Sequence, residues 1–139
     1  MKYNITEKKE KPAKYRTNIR AEVLDTIYEA ILRKMIVEKK YREADYTAQK
    51  LAQEIGTNPR YISAAVSMRF QMSFPELINN YRVRDACILL TDKRNLDKNI
   101  TEIAMAVGFR NRQSLYVAFY REKKMTPTEF RERFFEQTR

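Results

Sequence analysis

Leu51-Ala52-Gln53-Glu54-Ile55-Gly56-Thr57-Asn58-Pro59-Arg60 and Ile103-Ala104-Met105-Ala106-Val107-Gly108-Phe109-Arg110-Asn111-Arg112 are one pattern written twice. Gly56 and Gly108, the chain's two glycines, lie 52 positions apart, and at that offset Leu51 matches Ile103, Ala52 matches Ala104 and Ile55 matches Val107. Past the glycine the offset becomes 53, so that Asn58 matches Asn111, Ile62 matches Leu115 and Val66 matches Phe119. Two helices crossing steeply over a short turn need a small residue at the crossing and a glycine where the chain reverses through a left-handed backbone. Ala52 and Ala104 meet the first need, Gly56 and Gly108 the second. Ile62 with Val66, and Leu115 with Phe119, are the i, i+4 pairs that hold each second helix down. The pattern predicts two helix-turn-helix units, the second with a turn one residue longer.

Capping signals surround this pattern. Thr47 and Asn99 precede the first helix of each unit, Tyr46 is placed to staple onto Leu51, and Asn58 with Pro59 opens the second helix of the first unit. Ser73/Glu76 and Thr126/Glu129 have capping-box spacing, the former opening a connecting helix from Ser73 to about Asp92. Leu24, Ile27, Tyr28, Ile31 and Met35 predict a first amphipathic helix that fades in the charged segment Glu38 to Asp45. The expected fold is all-α: residues 1–20 a basic arm, 21–72 a first helix-turn-helix subdomain, 73–94 a connecting helix and 95–139 a second subdomain.

Composition bounds the function. Of 139 residues 43% are hydrophobic and 33% charged, and 28 basic against 18 acidic side chains give a net charge of +10, which calls for a polyanionic partner. Seven basic residues lie within 1–20 (Lys2, Lys8, Lys9, Lys11, Lys14, Arg16 and Arg20) against Glu7 and Glu10. No histidine is present and Cys87 is the one cysteine, which excludes a His/Cys zinc site and an intramolecular disulfide. Cys87 reads as a core or near-core helix residue. Without a histidine base, a glycine-rich phosphate loop or a clustered set of acids for magnesium, no catalytic constellation emerges, and neither an enzyme nor a bound cofactor or metal is expected. No run approaches the ~18 apolar residues of a membrane span, so a cytoplasmic protein is expected.

The chain resembles the DNA-binding region of the AraC/XylS-type bacterial transcription regulators from about Leu24 to Phe134. The likeness is carried by Ile100-Thr101-Glu102-Ile103-Ala104, Val107-Gly108-Phe109, Ser114-Leu115, Ala118-Phe119 and Thr126-Pro127, with Arg82, Ala86, Leu89 and Leu90 matching the connecting helix. The resemblance implies seven helices and two recognition helices entering successive major grooves. The family commonly has glycine after each recognition helix, where Gln71 and Lys124 stand, so those helix ends are expected to take another shape. Ala64, Ser67 and Met68 also stand where long polar or basic side chains are frequent. Such regulators often carry a ligand-binding domain as well; 139 residues leave no room for one, so the chain is expected either to resemble the short members that act alone or to be a piece of a longer protein.

In a helix-turn-helix the outward residues near the start of the second helix face base edges. This selects Arg60, Tyr61, Ser63 and Ala64 around the buried Ile62, and Arg112, Gln113, Tyr116 and Val117 around Leu115. Arginine can pair bidentately with guanine and glutamine with adenine, which favours Arg60, Arg112 and Gln113, whereas Tyr61 and Tyr116 could equally cover apolar surface. Lys50, Asn58, Arg69, Arg110, Asn111, Arg121, Lys123 and Lys124 are the phosphate candidates. The expected partner is double-stranded DNA, bound by a monomer on an asymmetric site spanning two successive major grooves in the bacterial nucleoid, with RNA polymerase a second expected partner. The rival reading is a basic helical adaptor or architectural protein that binds nucleic acid without sequence preference.

Overall fold

Short polar side chains set the helix starts. In the computed structural model, which describes residues 20–138, Thr47 accepts the Lys50 amide hydrogen (3.2 Å), Asn58 that of Tyr61 (3.0 Å) and Asn111 that of Ser114 (2.8 Å). Ser73/Glu76, Asn99/Glu102 and Thr126/Glu129 close reciprocal capping boxes, each satisfying two amide groups that a helix start leaves open. Apart from Arg20, the basic arm expected at the amino terminus lies outside the described residues.

These caps open six of the seven α-helices among the described residues, the first starting without a side-chain cap: α1 Ala21–Leu32, α2 Ala48–Ile55, α3 Pro59–Phe70, α4 Phe74–Leu90, α5 Ile100–Ala106, α6 Arg112–Lys123 and α7 Pro127–Gln137. A π-helical turn, Arg33–Val37, extends α1, and 3-10 turns lie at Lys40–Arg42 and Lys93–Asn95. No strand occurs among the described residues. The connecting helix α4 stops at Leu90, short of the expected end, because Thr91 turns its hydroxyl back to the Cys87 carbonyl and Asp92 caps the following 3-10 turn.

The duplicated turns close alike. The Thr57 N–H bonds the Ala52 carbonyl at 2.8 Å and the Phe109 N–H bonds that of Ala104 at 2.9 Å, with Gly56 at φ +78° and Gly108 at φ +113°. Both recognition helices also end in the left-handed region, at Gln71 (φ 60°) and Lys124 (φ 61°). The expectation of a different shape there is corrected: both ends adopt the conformation that glycine would, because the Gln71 and Lys124 amides still close onto Ser67 and Tyr120. A side chain with a β-carbon is strained in that region, so Lys124→Gly is expected to stabilise the protein by about 1 kcal/mol, raising Tm by about 3 °C. Thermal denaturation checks this, and an unchanged or lower Tm would show that the exposed lysine carries no strain.

The chain divides into two compact units, the first formed by residues 20–40 and 45–78, the second by 41–44 and 79–138, with α4 running from one into the other. In the first, α1 and α2 both pack on α3, burying Leu24, Ile27, Ile31 and Met35 against Leu51, Ala52, Ile62, Val66 and Phe70. In the second, Val83, Ala86 and Leu90 of α4 share a core with Ile103, Ala104 and Val107 and with Leu115, Ala118 and Phe119 of α6. Phe130 of α7 meets Phe119 edge to face at 5.4 Å. Arg131 fastens α7 by donating to the carbonyls of Leu90, Asn95 and Lys98.

A polar clasp completes the second unit. Buried Asp85 accepts hydrogen bonds from the Tyr41 hydroxyl (2.9 Å) and from Nε and Nη2 of Arg42 (2.7 and 3.0 Å). Buried Arg82 donates Nε to the Tyr41 carbonyl (2.7 Å) and Nη2 to that of Glu43 (3.0 Å), and its guanidinium lies 5.5 Å from the centre of the Phe109 ring. Gly108 packs on the same segment: a β-carbon there would collide with the Tyr41 carbonyl oxygen and stand 2.7 Å from Arg82 Nε.

Candidate nucleic-acid interface

The second helix of each unit has a buried side and an open one. On α3, Arg60 and Ser63 are exposed, and Ser67, at helical spacing from both, is half-buried. Tyr61 is half-buried and lines a depression with Val23 and Thr26 of α1 and with Gly56 and Thr57 of the turn. Ala64 is fully buried, which corrects its assignment as a base reader. Because α1 and α2 both pack on α3, the covered arc is wider than one i, i+4 stripe, and a methyl group inside it reaches no groove.

On α6 the open face is larger. Arg112, Gln113, Ser114, Val117, Tyr120 and Arg121 are exposed, with Val117 and Tyr120 each more than half accessible. Arg112 is not loose: its guanidinium lies over the Tyr116 ring, 4.9 Å from the centroid, and donates to the Tyr116 hydroxyl at 3.0 Å. That hydroxyl is also 3.1 Å from the Thr128 hydroxyl on α7, and these two bonds hold the phenol pKa below its ordinary value. Tyr116 is thus a strut that restricts the rotamers of Arg112. Sequence reading left the exposed Ser114 and Tyr120 off this face, although Gln113, Val117 and Tyr120 (i, i+4, i+7) stand at the spacing that marks one helix face.

The phosphate candidates separate by their local partners. Arg69 pairs with Asp25 and stacks on Tyr28 at 4.9 Å, and Lys50 Nζ is 2.6 Å from Asp45, so each positive charge already has a counter-charge. Asn58 and Asn111 spend their side-chain oxygens as N-caps. Arg110, beside the start of α6, and Arg121, Lys123 and Lys124, at its end, are exposed.

A family model described as a helix-turn-helix domain matches residues 51–133. The chain belongs to the AraC-type helix-turn-helix family of DNA-binding transcription regulators. Its fold is similar to that of the DNA-binding domain of AdpA, a global transcriptional factor solved in complex with a target DNA (TM-score 0.69, 19% identity, 80% of this chain and 94% of that one). It is similar also to the C-terminal domain of AraT, a response regulator from Geobacillus stearothermophilus (TM-score 0.64, 23% identity, 79% and 84% covered). A third similar structure is a DNA-binding transcriptional dual regulator from Escherichia coli K-12 (TM-score 0.64, 18% identity, 81% and 93% covered). No curated protein sequence matches it.

Proposed function

We propose that this AraC-type protein binds a specific, asymmetric site in double-stranded DNA as one molecule, placing α3 and α6 in successive major grooves. The observation that carries the reading is that both second helices have capped starts and exposed long side chains on their first turns, Arg60 on one and Arg112 with Gln113 on the other. Because the two faces differ in sequence, unlike half-sites follow, and a palindrome is not needed. Val117 offers an apolar contact of the kind a thymine methyl takes, and Arg110, Arg121, Lys123 and Lys124 hold phosphates. The basic residues within 1–20 add affinity without adding preference. The protein acts in the cytoplasm, on the bacterial nucleoid, as a regulator without catalysis of its own; RNA polymerase is its protein partner. Among the described residues no helix is long and apolar enough to cross a membrane.

Selection of sites from random DNA, followed by binding of Arg60→Ala and Arg112→Ala, tests this. Each variant is expected to relax preference in a different half of the selected site, by about 1–3 kcal/mol. Five extra base pairs between the halves should reduce specific binding to what one unit provides. Equal affinity of the wild-type chain for all duplexes would replace the reading with a nonspecific architectural one.

A further inference from the structure

Arg82 is a buried cation without a matching acid. It is 8% exposed, its bonds run to two backbone carbonyls, and no carboxylate pairs with it among the described residues, since nearby Asp85 is taken by Tyr41 and Arg42. Burying a charge is costly unless an opposite charge or strong hydrogen bonds compensate it. Burial and the positive charge of Arg110 together hold its pKa below the ordinary arginine value. Both guanidinium-bearing residues line one open cleft of about 500 Å³ in the second unit, together with Asn111, Gln113 and Ser114 at the start of α6. No acidic residue lines that cleft. Asn111, whose oxygen is spent on the Ser114 amide, has its side-chain nitrogen left as a donor. Two cations, amide and hydroxyl donors and the positive end of a 12-residue helix thus surround one space that contains no counter-charge.

We propose that this cleft binds a phosphate group, with Arg82 as the fixed donor and Arg110 as the mobile one. The site deepens the functional reading above, which bears only on the source of the phosphate: the backbone of a duplex whose groove α6 enters, or a free phosphate. Arg82 is held by Tyr41, Glu43 and Phe109, so its guanidinium loses little freedom when an anion arrives.

The test follows the Arg82 Nε–H and the Gln113 and Ser114 amides by NMR, titrating the full chain separately with a random-sequence duplex and with inorganic phosphate. The salt dependence of duplex binding is measured for the wild type and for Arg110→Gln, a change at an exposed position. The expected result is a shift of the Arg82 signal on adding duplex, and a slope of log K against log salt lower by about 1 in the variant. A shift with duplex alone assigns the cleft to a backbone phosphodiester. A shift with both probes, the duplex displacing the ion, assigns a general phosphate site that DNA uses, and a shift with inorganic phosphate alone assigns a free phosphate as ligand. An Arg82 signal unmoved by either probe, together with an unchanged slope, overturns the proposal. Because the duplex is random, a chain lacking any sequence preference fails the functional reading but still reports on the cleft.

Discussion

Gly108→Ala is expected to destabilise the second helix-turn-helix unit by about 3–5 kcal/mol, whereas Gly56→Ala should cost about 1 kcal/mol. The two glycines occupy matching places in the duplicated pattern, and sequence alone treats them as equals. Their surroundings differ. Nothing lies within 4 Å of a β-carbon built on Gly56, so alanine there meets only the strain of a φ of +78°. At Gly108 the φ of +113° is strained as well, and the added methyl would strike the Tyr41 carbonyl and press on Arg82 Nε and on the Arg42 backbone. Relief requires moving a backbone segment that the Arg82–Tyr41 and Arg42–Asp85 bonds hold in place, so the collision and the lost bonds add to the backbone term. A loss of this size is a large part of the ~5–15 kcal/mol that keeps a domain folded. Urea denaturation of the two variants gives the comparison, and equal losses would show that the close approach at Gly108 carries no weight. On the proposed two-groove reading, the same variant should lose preference in the half-site assigned to α6 and keep it in the other.

Asp85→Ala is expected to cost about 3 kcal/mol, because it strands the Tyr41 hydroxyl inside the unit and removes a two-pronged partner from Arg42. The Arg42 side chain is 40% exposed, so water recovers part of what that cation loses. Tyr41→Phe should cost less, since Asp85 then keeps Arg42. The tyrosine variant also separates a pH effect. Burial, reinforced by the hydrogen bond to Asp85 and by its negative charge, pushes the Tyr41 phenol up to about 12. The folded state thus favours the neutral phenol, and this share of stability is complete below pH 10 and fades as the pH climbs toward 12. Wild-type stability should fall more steeply than that of Tyr41→Phe across this window, and parallel curves would remove Tyr41 from the alkaline response.

Elements written in local chemistry were legible in the sequence. Thr47, Asn58 and the Ser73/Glu76 and Thr126/Glu129 boxes act on amides three residues away, so a residue type at a spacing suffices to place a helix start. The clasp was not legible, because its members are some forty residues apart and Glu38 to Asp45 reads as a solvated charged run. In that run Tyr41 is buried, and the charge of Arg42 is spent on Asp85. Ala64 was misplaced for a related reason: a helical repeat gives the direction of a side chain, but how wide an arc is covered depends on α1, which the motif does not contain. The exposure of Arg112 and Gln113 on α6 followed from their position, while the Tyr116 strut beneath Arg112 depends on Thr128 in another helix.

The route of the chain through the clasp also bears on how the protein can be divided. Residues 41–44 belong with 79–138, although α2 and α3 stand between them in the sequence. The Arg42–Asp85 bond joins positions 43 apart and so ties off a loop that contains the whole first helix-turn-helix motif. In this sense that motif interrupts the sequence of the second unit, and no single cut in the polypeptide releases that unit intact. A fragment beginning at residue 79 carries Asp85 without Tyr41 and Arg42, and Arg82 without the two carbonyls that hold it. The natural division would instead be an excision: 41–44 joined to 79 through a short linker, in place of residues 45–78. Closing so short a loop costs less entropy than closing the native one, so the clasp should form more readily in the shortened unit than in the chain it came from.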